Sequence, residues 1–332
     1  MKAAPFLFAV VSLFALQGSV EGRGAGVQSY LVSKDGKTVT SLGDTSNDLF
    51  DPSANVMYRY RAGKITAAAV DRPDKPLWTA DAKPRMQGRS LLWRLLPDTV
   101  VVVGDEDITA FDRKGGSGKA LYTTKVSKFV RNADLIRFEI QDDPKSTPAL
   151  YLVDDRADVE GSTLAKFDLA AGKFVWQLAV ETRDNVWFPP STHSPLGTIQ
   201  GDNASQKFYF DPATGKALRE PLLPPRPSDP MPAKRSVNAS HDSIALREEG
   251  GQELWTRTET GKKGTALVTE ESVLIPLVSR RSKTQLLALK AKDGAELWRT
   301  PIPFTQFADQ VQVRVEATKN GYLVHVNWLV LD

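Results

Sequence analysis

Residues 287–298 read Leu287-Ala288-Leu289-Lys290-Ala291-Lys292-Asp293-Gly294-Ala295-Glu296-Leu297-Trp298, and this stretch decides the fold. An apolar run of the kind that forms a buried strand leads into a short polar segment. Asp opens a turn there by bonding its own backbone, and Gly supplies the positive φ that a turn with a bulge requires. The chain then returns as a second strand ending in Leu-Trp. The unit is a β-hairpin. A lone hairpin buries too little apolar surface to be stable, so it calls for companions.

Companions are present along the chain. Leu164 to Asp168 leads through Gly172-Lys173 to Trp176, and Ile244 to Leu246 leads through Gly251 to Leu254-Trp255. Phe208 to Asp211 leads through Gly215-Lys216 to Leu218, with Arg219 in the Trp position. Weaker copies run from Ile108-Thr109-Ala110-Phe111-Asp112 to Gly118-Lys119-Ala120-Leu121-Tyr122, and from Ala69-Val70-Asp71 to Leu77-Trp78. A frayed copy spans Tyr30-Leu31-Val32 and Asp35-Gly36-Lys37-Thr38-Val39. Their last positions, 40, 78, 122, 176, 219, 255 and 298, are separated by 38, 44, 54, 43, 36 and 43 residues. Four-stranded propeller blades repeat at roughly 40–50 residues.

Further strand-like runs lie between the copies: Thr99–Val103, Ala149–Val153 and Val273–Val278. The expectation is an all-β protein, a β-propeller of four-stranded blades. At the C-terminus, Val311–Val315, Tyr322–Val326 and Trp328–Leu331 read as three strands, with Asn320-Gly321 as a hairpin turn. The segment near Tyr30 to Thr40 would add a fourth. Counted that way there are seven blades; counting the two ends separately gives eight.

The Ala-Leu-x-Ala-x-x-Gly-x-x-Leu-Trp form around Trp298, echoed at Trp176 and Trp255, resembles the PQQ-like repeat of bacterial β-propellers over about residues 25–332. In that family the repeat's aromatic packs between neighbouring blades. The resemblance implies this role for Trp78, Tyr122, Trp176, Trp255 and Trp298, with Gly172, Gly215, Gly251 and Gly294 at the matching turns. Quinoprotein dehydrogenases of this architecture carry a vicinal Cys pair and a bound Ca²⁺. This chain has no Cys and no long insertion, so no cofactor and no metal are expected. The chain also looks similar to the propeller subunit of the outer-membrane barrel assembly machinery, a scaffold, but lacks that subunit's lipid-anchor Cys.

Composition bounds the rest. Over 332 residues, 43 Lys+Arg against 40 Asp+Glu leave a charge of +3, too small and too evenly spread for a nucleic-acid binder. The absence of Cys removes disulfides, thiolate nucleophiles and Cys-based metal sites. Met1-Lys2 followed by the apolar Pro5 to Leu16 fits a secretory signal peptide over residues 1–22 and is too short to span a bilayer. Residues 23–332 would then form one domain without a transmembrane segment, monomeric, and periplasmic or extracellular.

Motifs that carry chemistry are weak. His193, His241 and His325 are isolated, without metal-ligand spacing. Asp105-Glu106-Asp107 lacks a calcium loop's alternation and distal Glu, and reads as a solvated turn. Gly115-Gly116-Ser117-Gly118-Lys119 has Ala120 where a phosphate loop needs Ser or Thr, and joins two strands. Arg280-Arg281-Ser282-Lys283 reads as a solvated tip. Six prolines between Pro221 and Pro232 make a stiff extended loop. Trp187-Phe188-Pro189-Pro190 reads first as core packing; exposed on a propeller face, it would offer aromatics to a partner, which makes Trp187 and Phe188 the candidate partner-binding residues. The expectation is a secreted, non-enzymatic scaffold that binds a protein of the bacterial envelope. The alternative is an enzyme or small-ligand-binding propeller with its site in the central channel.

Overall fold

A computed structural model of the chain describes residues 24–87, 90–113, 117–126, 133–139, 148–155, 162–180, 185–187, 199–203, 206–219, 235–248, 251–278, 284–305 and 308–330. The expected signal peptide, Phe188, His193, the proline-rich loop, Gly115-Gly116 and Arg280 to Lys283 lie outside these residues. Every regular element among those described is a β-strand, and all strand pairs within the sheets are antiparallel meanders.

The chain forms two compact units, residues 22–126 with 227–332, and residues 127–226. In the first, sheet 1 joins both ends of the chain. Its strand order is Val39–Asp44, Gly24–Ser33, Gly321–Val330, Gln310–Ala317. Sheet 2 comprises Leu49–Asp51, Val56–Arg61, Lys64–Ala69 and Pro76–Asp81; sheet 3 comprises Trp93–Leu95, Thr99–Val103, Asp107–Asp112 and Ala120–Lys125. A two-stranded ribbon, Met86–Gln87 with Ser90–Leu91, links them in sequence. Sheet 6 holds Arg235–Ala239, Ser243–Glu248 and Glu253–Thr258. Sheet 7 holds Lys262–Lys263, Leu267–Val268, Ser272–Val278, Gln285–Lys290 and Glu296–Pro301. The second unit holds sheet 4, Ala133–Glu139, Ala149–Asp155, Ser162–Asp168 and Lys173–Val180, and sheet 5, Asn185–Trp187, Ile199–Asn203, Gln206–Phe210 and Ala217–Leu218.

All seven repeat hairpins are the last two strands of these sheets or, at the N-terminus, the first two of the chain. A shared irregularity explains the Leu-Trp ending. In sheet 7 Ala288 faces Trp298 and Leu289 faces Glu296, so Leu297 is the extra residue of a bulge. The same skip leaves out Leu77, Leu121, Val175 and Leu254. The bulge turns the aromatic onto one face of its sheet and leaves the aliphatic before it exposed, except Leu254, which is half-buried against the layer between sheets 6 and 7. Leu77 and Leu121 are each 56% exposed, Val175 50% and Leu297 44%.

In the first unit, sheets pack face to face in the order 6, 7, 1, 2, 3. Ile244, Leu246, Val273, Ile275, Leu287 and Leu289 fill the layer between sheets 6 and 7. Leu274, Leu286, Val311, Val313, Val324 and Val326 fill that between 7 and 1. Leu31, Leu42, Met57, Ala68, Val70 and Leu323 lie between 1 and 2, and Tyr58, Ile65, Trp93, Val100, Val102 and Phe111 between 2 and 3.

Two elements depart from the expectation. Sheet 1 takes two strands from each end, where three C-terminal strands and one N-terminal strand were expected. Asn327 alone does not make a turn, and Tyr322 to Val330 runs unbroken, paired residue for residue from Gly24↔Val330 to Ser33↔Gly321. The second departure is in sheet 7, whose inner strand is split into Lys262–Lys263 and Leu267–Val268. Pro276 has no N–H to give that neighbour. Gly264 still donates to Pro276 O at 2.8 Å, but Thr265 turns away and donates to Val313 O of sheet 1 at 2.9 Å.

Candidate functional site

The repeat aromatics are placed by the bulge and received by a glycine of the next hairpin. In the first unit a methyl added to Gly118 would lie 2.7 Å from the Trp78 ring, one on Gly294 2.8 Å from Trp255, and one on Gly36 2.5 Å from Trp298. In the second unit a methyl on Gly215 would lie 2.8 Å from Trp176. No side chain fits where these indoles lie on the turn. The same glycines have φ between 62° and 72°. The indole N–H adds a polar tie: Trp255 Nε1 donates to Ala291 O at 3.0 Å, Trp298 Nε1 to Lys34 O at 3.1 Å and Trp176 Nε1 to Pro212 O at 3.3 Å.

The other repeat positions differ from these seats. Gly251 has φ 86°, and a methyl there meets nothing within 4 Å. Gly172 has φ 66° and donates to Asp168 O at 2.9 Å. Tyr122 faces Ala110 across its hairpin. Asp168 Oδ1 accepts from Ala170 N and Ala171 N at 2.8 Å each, and Asp211 Oδ1 from Ala213 N at 2.8 Å. These are the aspartate turns read from the sequence.

Buried polar groups also tie sheets together. His325 is 1% exposed, and its Nδ1 shares a 2.8 Å hydrogen bond with Ser29 Oγ, which is in turn 2.6 Å from Thr45 Oγ1. Its Nε2 stands 3.9 Å from Glu316 Oε1, and Phe50 meets its ring edge-on at 5.0 Å. Burial, helped by the Arg314 charge, lowers its pKa from 6.5 to about 3, so the imidazole is neutral. The set has the residue types of a Ser-His-acid triad, but Ser29 is wholly buried and presents no nucleophile. Asp51 binds Arg113 between sheets 2 and 3. Arg257 donates to Glu296 at 2.6 Å and Arg299 to Glu259 through two nitrogens at 3.0 and 2.8 Å, linking sheets 6 and 7. These carboxylates raise the Arg299 pKa further above its usual value.

Among the described residues, cavities of the first unit include the following two. One, of about 270 Å³, is lined by Met57, Arg59, Arg61, Pro73, Asp74 and Pro76. The other, of about 290 Å³, lies among Lys262, Lys263, Val278 and Val311. Both lysines there already donate to backbone carbonyls, Lys262 Nζ to Val311 O at 3.2 Å and Lys263 Nζ to His241 O at 2.6 Å.

The remaining sequence candidates are scattered. Trp187 ends the strand Asn185–Trp187, its backbone opposite Gln200; its side chain, like Phe188, lies outside the description. His241 is exposed beside Asp242. Asp105 and Asp107 belong to the turn into the third strand of sheet 3, where Gly104 N donates to Asp107 O at 2.8 Å. Among the described residues, no three His, Asp or Glu side chains gather as a metal site, and no helix is long and apolar enough to cross a membrane. Sequence reasoning missed the His325 cluster, because its members lie in strands from opposite ends of the chain.

The family model described as "Outer membrane protein assembly factor BamB" matches residues 62–300. Among curated proteins, none matches the sequence. Solved structures that resemble it include BamB from Moraxella catarrhalis, 13% identical over 91% of each chain with a TM-score of 0.35. Another is apo AztD from Citrobacter koseri, 12% identical over 92% of this chain and 99% of that one, also with a TM-score of 0.35. The Dos1 propeller is 11% identical over 90% of this chain and 81% of that one, again at 0.35. Superpositions at that level carry no weight here. The family match spans most of the repeats, and the repeats form the meander sheets that the match requires. The chain is therefore a β-propeller of PQQ-like repeats and belongs to the family of the outer membrane protein assembly factor BamB.

Proposed function

We propose that this protein is a secreted, non-enzymatic scaffold that holds a protein partner in the bacterial envelope. The observation that carries the reading is the match of residues 62–300 to the family of an outer-membrane assembly factor. Residue chemistry supports it. The chain has no Cys and three His. One of these, His325, is sealed in a seam between strands, and ion pairs tie sheet 2 to 3 and sheet 6 to 7. The apolar segment Pro5 to Leu16 supports export.

Partner binding is assigned to the stretch Trp187-Phe188-Pro189-Pro190. Aromatic anchors are enriched at binding hot spots, and prolines at 189 and 190 lower the entropy such a stretch loses on binding. Replacing Trp187 and Phe188 together by Ser should remove one protein from those that the wild type retains from an envelope extract, with the melting temperature unchanged. If the double variant folds and retains the same proteins, the docking loop is wrong. If it unfolds, the aromatics belong to the core.

A further inference from the structure

We propose that the 270 Å³ cavity on sheet 2 is a vacant tryptophan seat that receives an aromatic side chain from a protein partner. In this repeat the aromatic stands four residues after the turn glycine, as in Gly294 to Trp298, Gly251 to Trp255 and Gly118 to Tyr122. The residue four after Gly36 is Thr40. It is cross-strand to Leu31, on the face of sheet 1 that packs on sheet 2, and it is exposed. So the sheet 1 hairpin sends no indole to sheet 2, although sheets 7, 1 and 3 each receive one from the sheet before.

The cavity lies where that indole would go. Met57 faces Ala68 and Ala68 faces Pro76 in adjoining strands, the same register as Leu289 and Glu296 beside the Trp255 seat. The turn that closes it carries Asp74, four residues before Trp78, where the filled seats have glycine. A ring entering here stands beside the Asp74 side chain, against Met57 and the arginines, rather than flat on the turn as in the filled seats. The cavity could hold several waters at about 30 Å³ each.

Its lining suits a flat ring delivered from outside. Guanidinium planes and a thioether are both favourable neighbours for an aromatic face. The guanidinium groups are already held in place. Arg59 Nε donates to Asp48 Oδ2 at 2.9 Å and its Nη2 to Leu42 O at 3.0 Å, while Arg61 donates to Tyr60 O at 2.7 Å and Asp44 O at 3.2 Å. Ordering them on binding therefore costs little. The Asp74 carboxylate offers an acceptor to an indole N–H or phenol O–H.

The proposal rests on the scaffold reading, and its test separates the two. N-acetyl-tryptophanamide is titrated into the isotope-labelled full chain and followed by amide shifts. Saturable shifts at Met57, Thr66 and Ala68 are expected, with none from N-acetyl-leucinamide. Thr40→Trp should raise the melting temperature, abolish the shifts and reduce partner capture from envelope extract. Arg61→Ser, which leaves the buried Asp48 paired with Arg59, should weaken probe binding about three- to fivefold, with the melting temperature as the check on folding. Absent shifts, equal shifts in Thr40→Trp, or equal response to the leucine probe would overturn the seat. Undiminished capture by a folded Thr40→Trp would overturn the partner's use of it while the scaffold reading stands. Probe binding by a wild type that captures no protein would overturn the scaffold reading and leave a small-ligand site.

Discussion

At the scale of single residues, one glycine serves two constraints at once. Gly294 needs positive φ for its turn and a bare Cα for the Trp255 indole; Gly251 needs only the first. Gly251→Ala should therefore cost about 1–2 kcal/mol, the penalty of a left-handed backbone. Gly294→Ala must also displace the indole, and should approach the about 3–5 kcal/mol expected for Trp255→Ala. Denaturant unfolding measures all three, and equal costs at the two glycines would contradict the seat. His325 gives a pH dependence of definite sign. The unfolded chain binds a proton below about 6.5 that the folded chain refuses down to about 3. Through that window this group lowers stability by about 1.4 kcal/mol per pH unit as pH falls. His325→Asn keeps a polar partner for Ser29 and cannot titrate, so its stability should fall less steeply between pH 6.5 and 4. Parallel curves would remove His325 from the acid response. None of the His325 cluster was visible in the sequence, since a lone His in an alternating strand gives no sign of the Ser, 296 residues away, that it meets.

Among elements, the hairpins were legible because each is local. Apolar run, aspartate, glycine and Leu-Trp lie within about a dozen residues, and backbone chemistry alone dictates the turn. The bulge was not legible, because it depends on cross-strand register. At Leu77-Trp78 and Leu297-Trp298 it reverses the usual reading of such a pair: the Trp is packed and the Leu before it is exposed. Leu121→Ser and Leu297→Ser should each change stability by no more than about 0.5 kcal/mol, as at ordinary surface positions. Leu289→Ala, on the packed face between sheets 6 and 7, should cost about 2–5 kcal/mol. Similar losses at Leu297 and Leu289 would refute the bulged register. The split inner strand of sheet 7 follows from Pro276 but could not be foreseen, because Pro276 constrains a neighbour that the sequence does not name.

For the molecule as a whole, the repeat period was enough to name the fold class, and the family match agrees with it. Function was less legible. Partner binding depends on which loops face outward together, and Trp187 and Phe188 were chosen for their residue type alone. The vacant seat on sheet 2, left empty by Thr40 of sheet 1, became apparent only once the filled seats showed what was missing. The central structural claim is that the ends of the chain are tied in one sheet, with Gly24–Ser33 paired along its whole length to Gly321–Val330. Native-state hydrogen exchange read by mass spectrometry tests this most directly. The account predicts that amides of residues 24–33 are protected as strongly as those of 321–330, and that both open together on titration with denaturant. Exchange of 24–33 at the rate of unstructured peptide, while 321–330 stays protected, would contradict it.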